Sequence, residues 1–227
     1  MPRRTRRTAR PVRERLEMFV PLVAHDLKGP LRRLERLALE AQRDAGHNDR
    51  QLLSLVSQAR RARCLVDELL AWCRLAEGRR SPEAIRLEPF VRAIWEEIAK
   101  PAGFRLELDC RAEEAVADAA ALAIVLRNLL DNAVRHHDRP DGRVTVRCWR
   151  WQRRLRIRIE DDGPGMGPEE AATVAAVLED PESTATYRRL GLRLVVEALG
   201  HLDGRARLHP SRDGRGTRIE LSLPTPA

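Results

Sequence analysis

Aromatic residues, lysines and long apolar runs are all scarce in this chain of 227 residues. Aromatic side chains make up 4% of the sequence. No apolar run approaches the roughly 20 residues that a membrane-spanning helix needs, and the first residues lack the apolar core of a signal peptide. The pattern therefore disfavours a membrane-spanning or secreted protein and predicts a cytoplasmic one.

Cysteine usage argues against two further classes of protein. The four cysteines are widely separated and include no Cys-x-x-Cys pair; they are Cys64, Cys73, Cys110 and Cys148. Structural zinc needs closely spaced ligands, and a disulfide framework is typical of small secreted chains. We therefore expect reduced thiols that pack as small hydrophobic side chains.

The positive charge comes almost entirely from arginine. The formal net charge is +8, only Lys28 and Lys100 are lysines, and arginines crowd residues 1–11. Such a segment can bind the phosphates of nucleic acid. No helix-turn-helix, zinc-finger or aromatic stacking motif accompanies it, so we favour a solvated, disordered lead over a nucleic-acid-binding segment.

His25 and Asp26 lie within a segment of helical apolar spacing, in the string His25–Pro30. Neutral imidazole is a nucleophile near pH 7, and a neighbouring carboxylate can fix its tautomer and leave the other nitrogen free to attack. Alone, the dipeptide is better explained as a solvated pair. Its interpretation therefore depends on the rest of the chain.

The first third of the chain predicts two long helices. Helical apolar spacing runs over residues 12–45 and 50–77, and Gly46–Asp49 supplies a turn between them. A hairpin of two helices cannot cover its apolar stripe alone. We therefore expect residues 12–80 to form a homodimeric four-helix bundle, followed by a linker around Pro82.

The remaining residues, 86–227, mix helical and strand-like patterns. Helical spacing predicts helices over Glu88–Ala99, Ala119–Arg135 and Leu190–Leu199. Alternating apolar residues predict strands over Phe104–Leu108, Arg143–Trp151, Leu155–Ile159, Arg205–Leu208 and Thr217–Leu223. This mixture predicts an α+β sandwich in which helices cover one sheet.

Two strings in this second part carry polar groups that suit a nucleotide. Asn128, Asn132 and Arg135 are four and three residues apart, so they share one side of a helix. Amide oxygens are suitable ligands for Mg²⁺, and an arginine can pair with phosphate. Asp161 ends a strand and can accept a hydrogen bond from an adenine amino group, while Gly163 permits a tight turn close to the base.

Together these strings resemble the acceptor-histidine box, N box and G1 box of sensor histidine kinases. The resemblance spans residues 18–224. It implies a HisKA-type dimerisation and phosphotransfer hairpin followed by an ATP-binding domain of the GHKL (Bergerat) fold. ATP and Mg²⁺ would be the cofactors, His25 the phospho-acceptor and Asp26 its acid/base partner. The implied nucleotide contacts are Asn128, Asn132, Arg135, His136, Asp161, Gly163, Gly165 and Gly191, with Asn132 and Asn128 as metal ligands.

The same resemblance implies a reaction and its partners. His25 would take the γ-phosphoryl group of Mg-ATP and pass it to an aspartate of a response-regulator receiver domain. Few residues precede His25, so we expect the input to come from a separate sensor protein or from a sensory region outside this chain. Gly29 stands where many relatives carry threonine or asparagine, which disfavours phosphatase activity.

The family's second glycine box, Gly-x-Gly-x-Gly-Leu, is altered in this chain. The matching stretch is Tyr187–Leu192, which keeps Gly191 alone of the three glycines. Glycine permits close approach of the backbone to a triphosphate, whereas Arg188 and Arg189 offer charge instead. The preceding segment lacks a phenylalanine-rich F box, and we expect its packing to be supplied in part by Val174, Val177 and Leu178.

Two alternatives remain open. A histidine phosphotransfer relay with a degenerate ATP-binding domain would exchange phosphate at His25 between receiver domains, but it would have no use for the asparagine and aspartate set. A GHKL-type ATP-dependent switch would leave the His25 string unexplained. We therefore favour the kinase. Of the remaining histidines, we expect His137 to face solvent and His201 to be solvated.

Overall fold

The computed structural model describes residues 80–179, 190–209 and 215–225, together with scattered residues of the amino-terminal part. Those scattered residues are all helical, and they are 28–29, 31–34, 36–38, 55, 58–59, 62 and 66. The chain divides into two units, Met1–Leu69 and Leu70–Ala227. The predicted hairpin turn, the four-helix bundle and His25 fall outside the described residues.

The described part of the second unit contains seven strands and four helices. The strands are β1 (Pro82–Arg86), β2 (Gly103–Cys110), β3 (Glu114–Asp118), β4 (Asp141–Trp151), β5 (Arg154–Asp161), β6 (Arg205–His209) and β7 (Arg218–Pro224). The helices are α1 (Leu87–Glu97), α2 (Ala119–Arg135), α3 (Pro168–Glu179) and α4 (Leu190–His201). None of the described helices has the length and hydrophobicity that crossing a bilayer requires.

Five strands form the main sheet in the order β2-β4-β5-β7-β6. β2 and β4 run parallel, and the other neighbouring pairs are antiparallel. A parallel pair needs a crossover, which here contains β3 and α2. Alternate residues of the central strands are buried under the helices, and they include Val144, Val146, Leu155, Ile157, Ile159, Ile219, Leu221 and Leu223.

Helix α2 is central to the helical layer. Its apolar spacing fully buries Leu122, Leu126 and Leu130. Asp118 caps its amino terminus by accepting the N–H of Ala121 at 3.0 Å. The helix packs against both α1 and α4. One sheet covered by helices is the α+β sandwich that the sequence predicted, and this part of the fold prediction is confirmed.

Three elements add to the sequence expectation, the strands β1 and β3 and helix α3. Pro82–Arg86, predicted as part of a linker, forms strand β1 and pairs with β3. Ile85 is the one buried residue of this short strand, so its pattern carried little signal. Pro82 is its first residue, where a missing N–H is tolerated. Helix α3 lies in the segment without an F box, and its buried residues are the expected Val174, Val177 and Leu178.

Candidate nucleotide site

Two loops meet at the end of the sandwich where β5 ends and β7 begins. The N–H of Asp161 donates to the carbonyl of Thr217 at 3.1 Å, and the N–H of Gly216 donates to the carbonyl of Gly163 at 2.8 Å. These bonds extend the β5–β7 pairing beyond the regular ladder. They therefore hold the predicted G1 string against the loop that contains Gly216 and Thr217. From the sequence, this loop was expected only to lead into the last strand.

The side chain of Asp161 has a defined orientation in this loop pair. Its Oδ1 accepts the N–H of Gly163 at 3.0 Å and the N–H of Thr217 at 3.1 Å. Burial raises the pKa of Asp161, while these two N–H bonds and the nearby His137 work in the opposite direction. The result is an acceptor group fixed at the end of β5.

Close backbone approach explains the glycines of the two loops. Gly165 and Gly216 have φ of +79° and +83°, a region that favours glycine. A Cβ on Gly216 would lie 1.9 Å from the carbonyl oxygen of Asp161, so no other residue fits there. Gly163 and Gly165 were predicted for the site, but Gly216 was not. Its signal was the Gly214–Thr217 string just before the last strand.

Asn128 lies in the contact between helices α2 and α4. The residue is 5% exposed, and its Nδ2 donates to the carbonyl of Ile124 at 2.9 Å. A Cβ on Gly191 would lie 2.5 Å from the Oδ1 of Asn128. The structure therefore brings these two predicted site residues together, and Gly191 is needed for the helices to approach.

The other predicted residues of α2 lie nearer to solvent. Asn132 is half-buried, whereas Arg135 and His136 are exposed. Arg135 forms an ion pair with Asp131, one turn earlier on the helix. The N–H of His136 donates to the carbonyl of Asn132 at 3.0 Å and so ends the helix.

The expectation that His137 faces solvent is wrong. Its side chain is 1% exposed, and its Nε2 lies 3.1 Å from the Oδ1 of Asp162. The next residue, Asp138, receives two bonds from Arg215, each of 3.0 Å. This pairing lowers the pKa of Asp138. Polar residues after a helix suggest exposure, but here Phe104, Asp162 and Gly163 cover the ring of His137.

The expectation for His201 is also wrong. Its side chain is 7% exposed, and its Nε2 lies 3.4 Å from the Oδ2 of Asp118 at the start of α2. The residue ends helix α4, where the sequence alone suggests a solvated position. The contact with Asp118 joins two sites that are 83 residues apart, so local sequence could not reveal it.

The side chains of this site are of the chemical types that an adenine nucleotide with Mg²⁺ requires. Asp161 supplies an oriented acceptor, and Asn132 supplies a half-exposed amide oxygen. Within the described ranges, no group of three His, Cys, Asp or Glu side chains is placed to hold a metal ion. Mg²⁺ needs few protein ligands when substrate phosphates supply the rest, so an amide-based site remains suitable. Tyr187–Arg189, His25 and Asp26 lie outside the described residues.

Comparison with known families assigns a class to this part of the chain. Residues 117–227 match the family described as "Histidine kinase-, DNA gyrase B-, and HSP90-like ATPase". The match includes α2, the Asp161 loop and β7, and hence the described site residues. Residues 117–227 are therefore similar in sequence to the ATPase domains of this class.

Sensor kinases are among the curated relatives of the chain. Sensor protein QseC of Escherichia coli (strain K12) is 32% identical over 204 residues, which are 85% of this chain and 44% of QseC. Sensor protein KdpD of Mycobacterium tuberculosis (strain ATCC 25618 / H37Rv) is 32% identical over 197 residues, 78% of this chain and 23% of KdpD. The chain thus spans less than half the length of either relative. Together these matches support a histidine kinase with a GHKL catalytic domain.

Solved structures of histidine kinases share the fold. The Acinetobacter baumannii histidine kinase AdeS aligns with a TM-score of 0.64 and 21% identity, covering 89% of this chain and 98% of that one. Histidine kinase ThkA in complex with response regulator protein TrrA aligns with a TM-score of 0.67 and 17% identity, covering 95% of this chain and 64% of that one. At these identities the likeness concerns the fold alone.

Proposed function

We propose that this protein is an ATP-dependent protein-histidine kinase of a two-component system. One observation carries the proposal: the side chain of His137, two residues beyond the end of helix α2, contacts Asp162 in the loop in which Asp161 is held by two backbone N–H groups, and Asn132 lies on the last turn of that helix. An adenine nucleotide with Mg²⁺ needs an oriented acceptor for the base and oxygen ligands near the phosphates. The kinase relatives and the His25 string support the same function.

In the proposed reaction, a ring nitrogen of His25 attacks the γ-phosphorus of ATP. A nitrogen–phosphorus bond forms, the bond from the γ-phosphorus to the bridging oxygen breaks, and ADP leaves. Asp26 holds the imidazole tautomer and accepts the ring proton. An aspartate of a receiver domain then takes the phosphoryl group from His25. Such transfers depend mainly on positioning and on charge neutralisation.

The site residues take distinct roles in this proposal. Asp161 accepts a hydrogen bond from the adenine amino group, and the backbone at Gly163 and Gly165 approaches the base. Asn132 is the main metal ligand, since Asn128 is buried and its amide contacts Ile124 and Gly191. When bound, Mg²⁺ neutralises phosphate charge. Further phosphate contacts come from Arg135 and His136.

The proposed partners follow from the same scheme. Residues 12–80 would form the homodimeric phosphotransfer hairpin, and residues 86–227 the catalytic domain. The phosphoryl acceptor would be a response-regulator receiver domain, and a separate sensor protein would supply the signal in the cytoplasm. The solved complex of ThkA with TrrA supports a receiver partner for this class of protein.

The test is incubation of the full chain with [γ-³²P]ATP and Mg²⁺. We expect label on the wild type that is lost in acid and kept in base, as for a phosphohistidine. His25→Gln and Asn132→Ala should both abolish it. His209→Gln, on the edge strand β6, is the matched histidine control and should keep the label.

Absence of label on folded, dimeric wild-type protein would contradict the kinase. The relay alternative would then be tested by incubating the protein with a phosphorylated receiver domain, where transfer of label to His25 would support it. Label that persists in His25→Gln would instead show that another residue is the acceptor.

A further inference from the structure

His137 is almost completely enclosed at the junction of the N-box helix and the G1 loop. Its side chain is 1% exposed, and its ring meets the ring of Phe104 edge-on, with centroids 5.2 Å apart at 81°. The residue follows directly after the predicted nucleotide contact His136. A polar ring at such a place needs partners for both of its nitrogens.

Those partners define the tautomer. The N–H of Arg139 donates to Nδ1 at 3.1 Å, so Nδ1 carries no proton; the Oδ1 of Asp138 lies farther from it, at 3.8 Å. The proton is therefore on Nε2, which donates to the Oδ1 of Asp162 at 3.1 Å. That same oxygen accepts the N–H of Arg143 at 2.7 Å. Asp162 thus joins His137 to the beginning of β4.

The ring also occupies space that two glycines leave open. A Cβ on Gly142 would lie 2.8 Å from the Nε2 of His137, and a Cβ on Gly163 would lie 3.2 Å from its Cδ2. Gly163 is the residue whose N–H orients Asp161. The imidazole therefore packs directly against the turn that orients the proposed adenine acceptor.

We propose that His137 is a positioning residue for nucleotide binding, which holds the Asp161–Gly163 turn by donating a hydrogen bond to Asp162 and by filling the space beside Gly163. This inference rests on the proposed function, because it assigns the turn to the adenine base. It makes a claim about one atom: the Nε2–H donor, and not the Nδ1 acceptor, is the group that nucleotide affinity needs.

Two variants separate the two ring nitrogens. In His137→Gln the side-chain amide reaches about as far as Nε2 and can still donate to Asp162, whereas in His137→Asn it reaches only the position of Nδ1. We expect the Kd for ADP, measured by calorimetry on the full chain, to rise about tenfold in His137→Ala and His137→Asn. His137→Gln should stay within about threefold of the wild type. Equal losses in Gln and Asn variants of matched thermal stability would overturn the proposal.

A second measurement keeps the inference separate from the proposed function. Amide exchange at Gly163 and Thr217, the two donors to Asp161, should be about tenfold faster in His137→Ala and near wild type in His137→Gln, without nucleotide. If the wild type binds no ADP, the proposed function fails, and faster exchange still supports the positioning of the turn. Unchanged exchange in His137→Ala would refute that positioning, whatever the nucleotide result.

Discussion

Two buried histidines each contact an aspartate, one near each end of helix α2. At its amino terminus the Nε2 of His201 lies 3.4 Å from Asp118, and beyond its carboxyl terminus the Nε2 of His137 lies 3.1 Å from Asp162. The histidine side chains are 7% and 1% exposed. By composition, distance and burial of the ring, the two pairs are nearly the same.

The two aspartates, Asp118 and Asp162, differ in their exposure to solvent and in their hydrogen-bond partners. Asp118 is 12% exposed, and it also accepts the N–H groups of Ser81 and Ala121, both at 3.0 Å. Asp162 keeps 41% exposure and adjoins Asp161 in the G1 loop. The carboxylate of Asp118 thus serves as a helix cap, whereas that of Asp162 lies beside the candidate nucleotide site. The comparison teaches that location, rather than the pair itself, indicates function.

The largest expected effect is on the site side, at Asp161. In Asp161→Asn the Oδ1 can still accept the N–H groups of Gly163 and Thr217, but the new NH₂ group opposes the adenine amino group. We expect the Kd for ADP to rise about thirtyfold or more. Because burial raises the pKa of Asp161, its charged form is disfavoured in the fold, so the variant should be at least as stable as the wild type. Calorimetry and urea unfolding measure the two quantities.

A loss of stability without loss of affinity is expected at the cap. Asp118→Ala removes the acceptor for Ala121 and leaves His201 without its partner, which should lower the free energy of unfolding by about 2 kcal/mol. The Kd for ADP should be unchanged, since Asp118 lies at the other end of α2. Asp162→Ala is the matched variant: it also removes the acceptor of a buried histidine and of the N–H of Arg143, but unlike Asp118→Ala it should raise the Kd for ADP. A shared loss of affinity in both would remove the distinction between the pairs.

Acid should weaken the cap in a predictable direction. Burial works to raise the pKa of Asp118, but the bonds from Ser81 and Ala121 and the contact with His201 outweigh it, so the pKa lies below the usual 3.8. A lowered carboxyl pKa contributes stability that is full above the unfolded pKa and is lost as pH falls through the folded value. The free energy of unfolding should therefore decline between about pH 5 and pH 3. The decline should be smaller in Asp118→Asn, and an equal decline would exclude Asp118 as its source.

Local sequence was sufficient for most of the regular elements of the second unit, although not for β1, β3 and α3. The bounds Ala119–Arg135 were predicted for helix α2 and are observed, because its apolar spacing is strong and an aspartate precedes it. The hairpin of β4 and β5 was likewise predicted from alternating residues, with residues 152–154 between the strands; in the structure the turn is Gln152 and Arg153, and β5 begins at Arg154. These features depend on neighbours in the chain, which a sequence displays directly.

The inner parts of the site could not be predicted in this way. Arg215 meets Asp138 across 77 residues, and Thr217, next to Gly216, donates to Asp161 across 56 residues. His137 was expected to face solvent because Asp162 and Gly163, which contact it, lie in the loop after β5; Asp162 is 25 residues further along the chain. Motif resemblance named the groups that we propose as nucleotide contacts, but only the folded chain shows which groups hold them in position.

The smallest expected effect is a change in stability at Arg80, near the Asp118 cap. Near Asp118, Arg80 forms an ion pair with Asp203 at 2.5 Å, with both side chains more than half exposed. Solvent screens such a pair, so Arg80→Ala should cost about 0.5 kcal/mol of unfolding free energy at most. The cost should vanish in 0.5 M NaCl, whereas the cost of Asp118→Ala should persist because that carboxylate is buried. If Arg80→Ala lowered the free energy of unfolding as much as Asp118→Ala, the exposed ion pair would stabilise this region as strongly as the cap does.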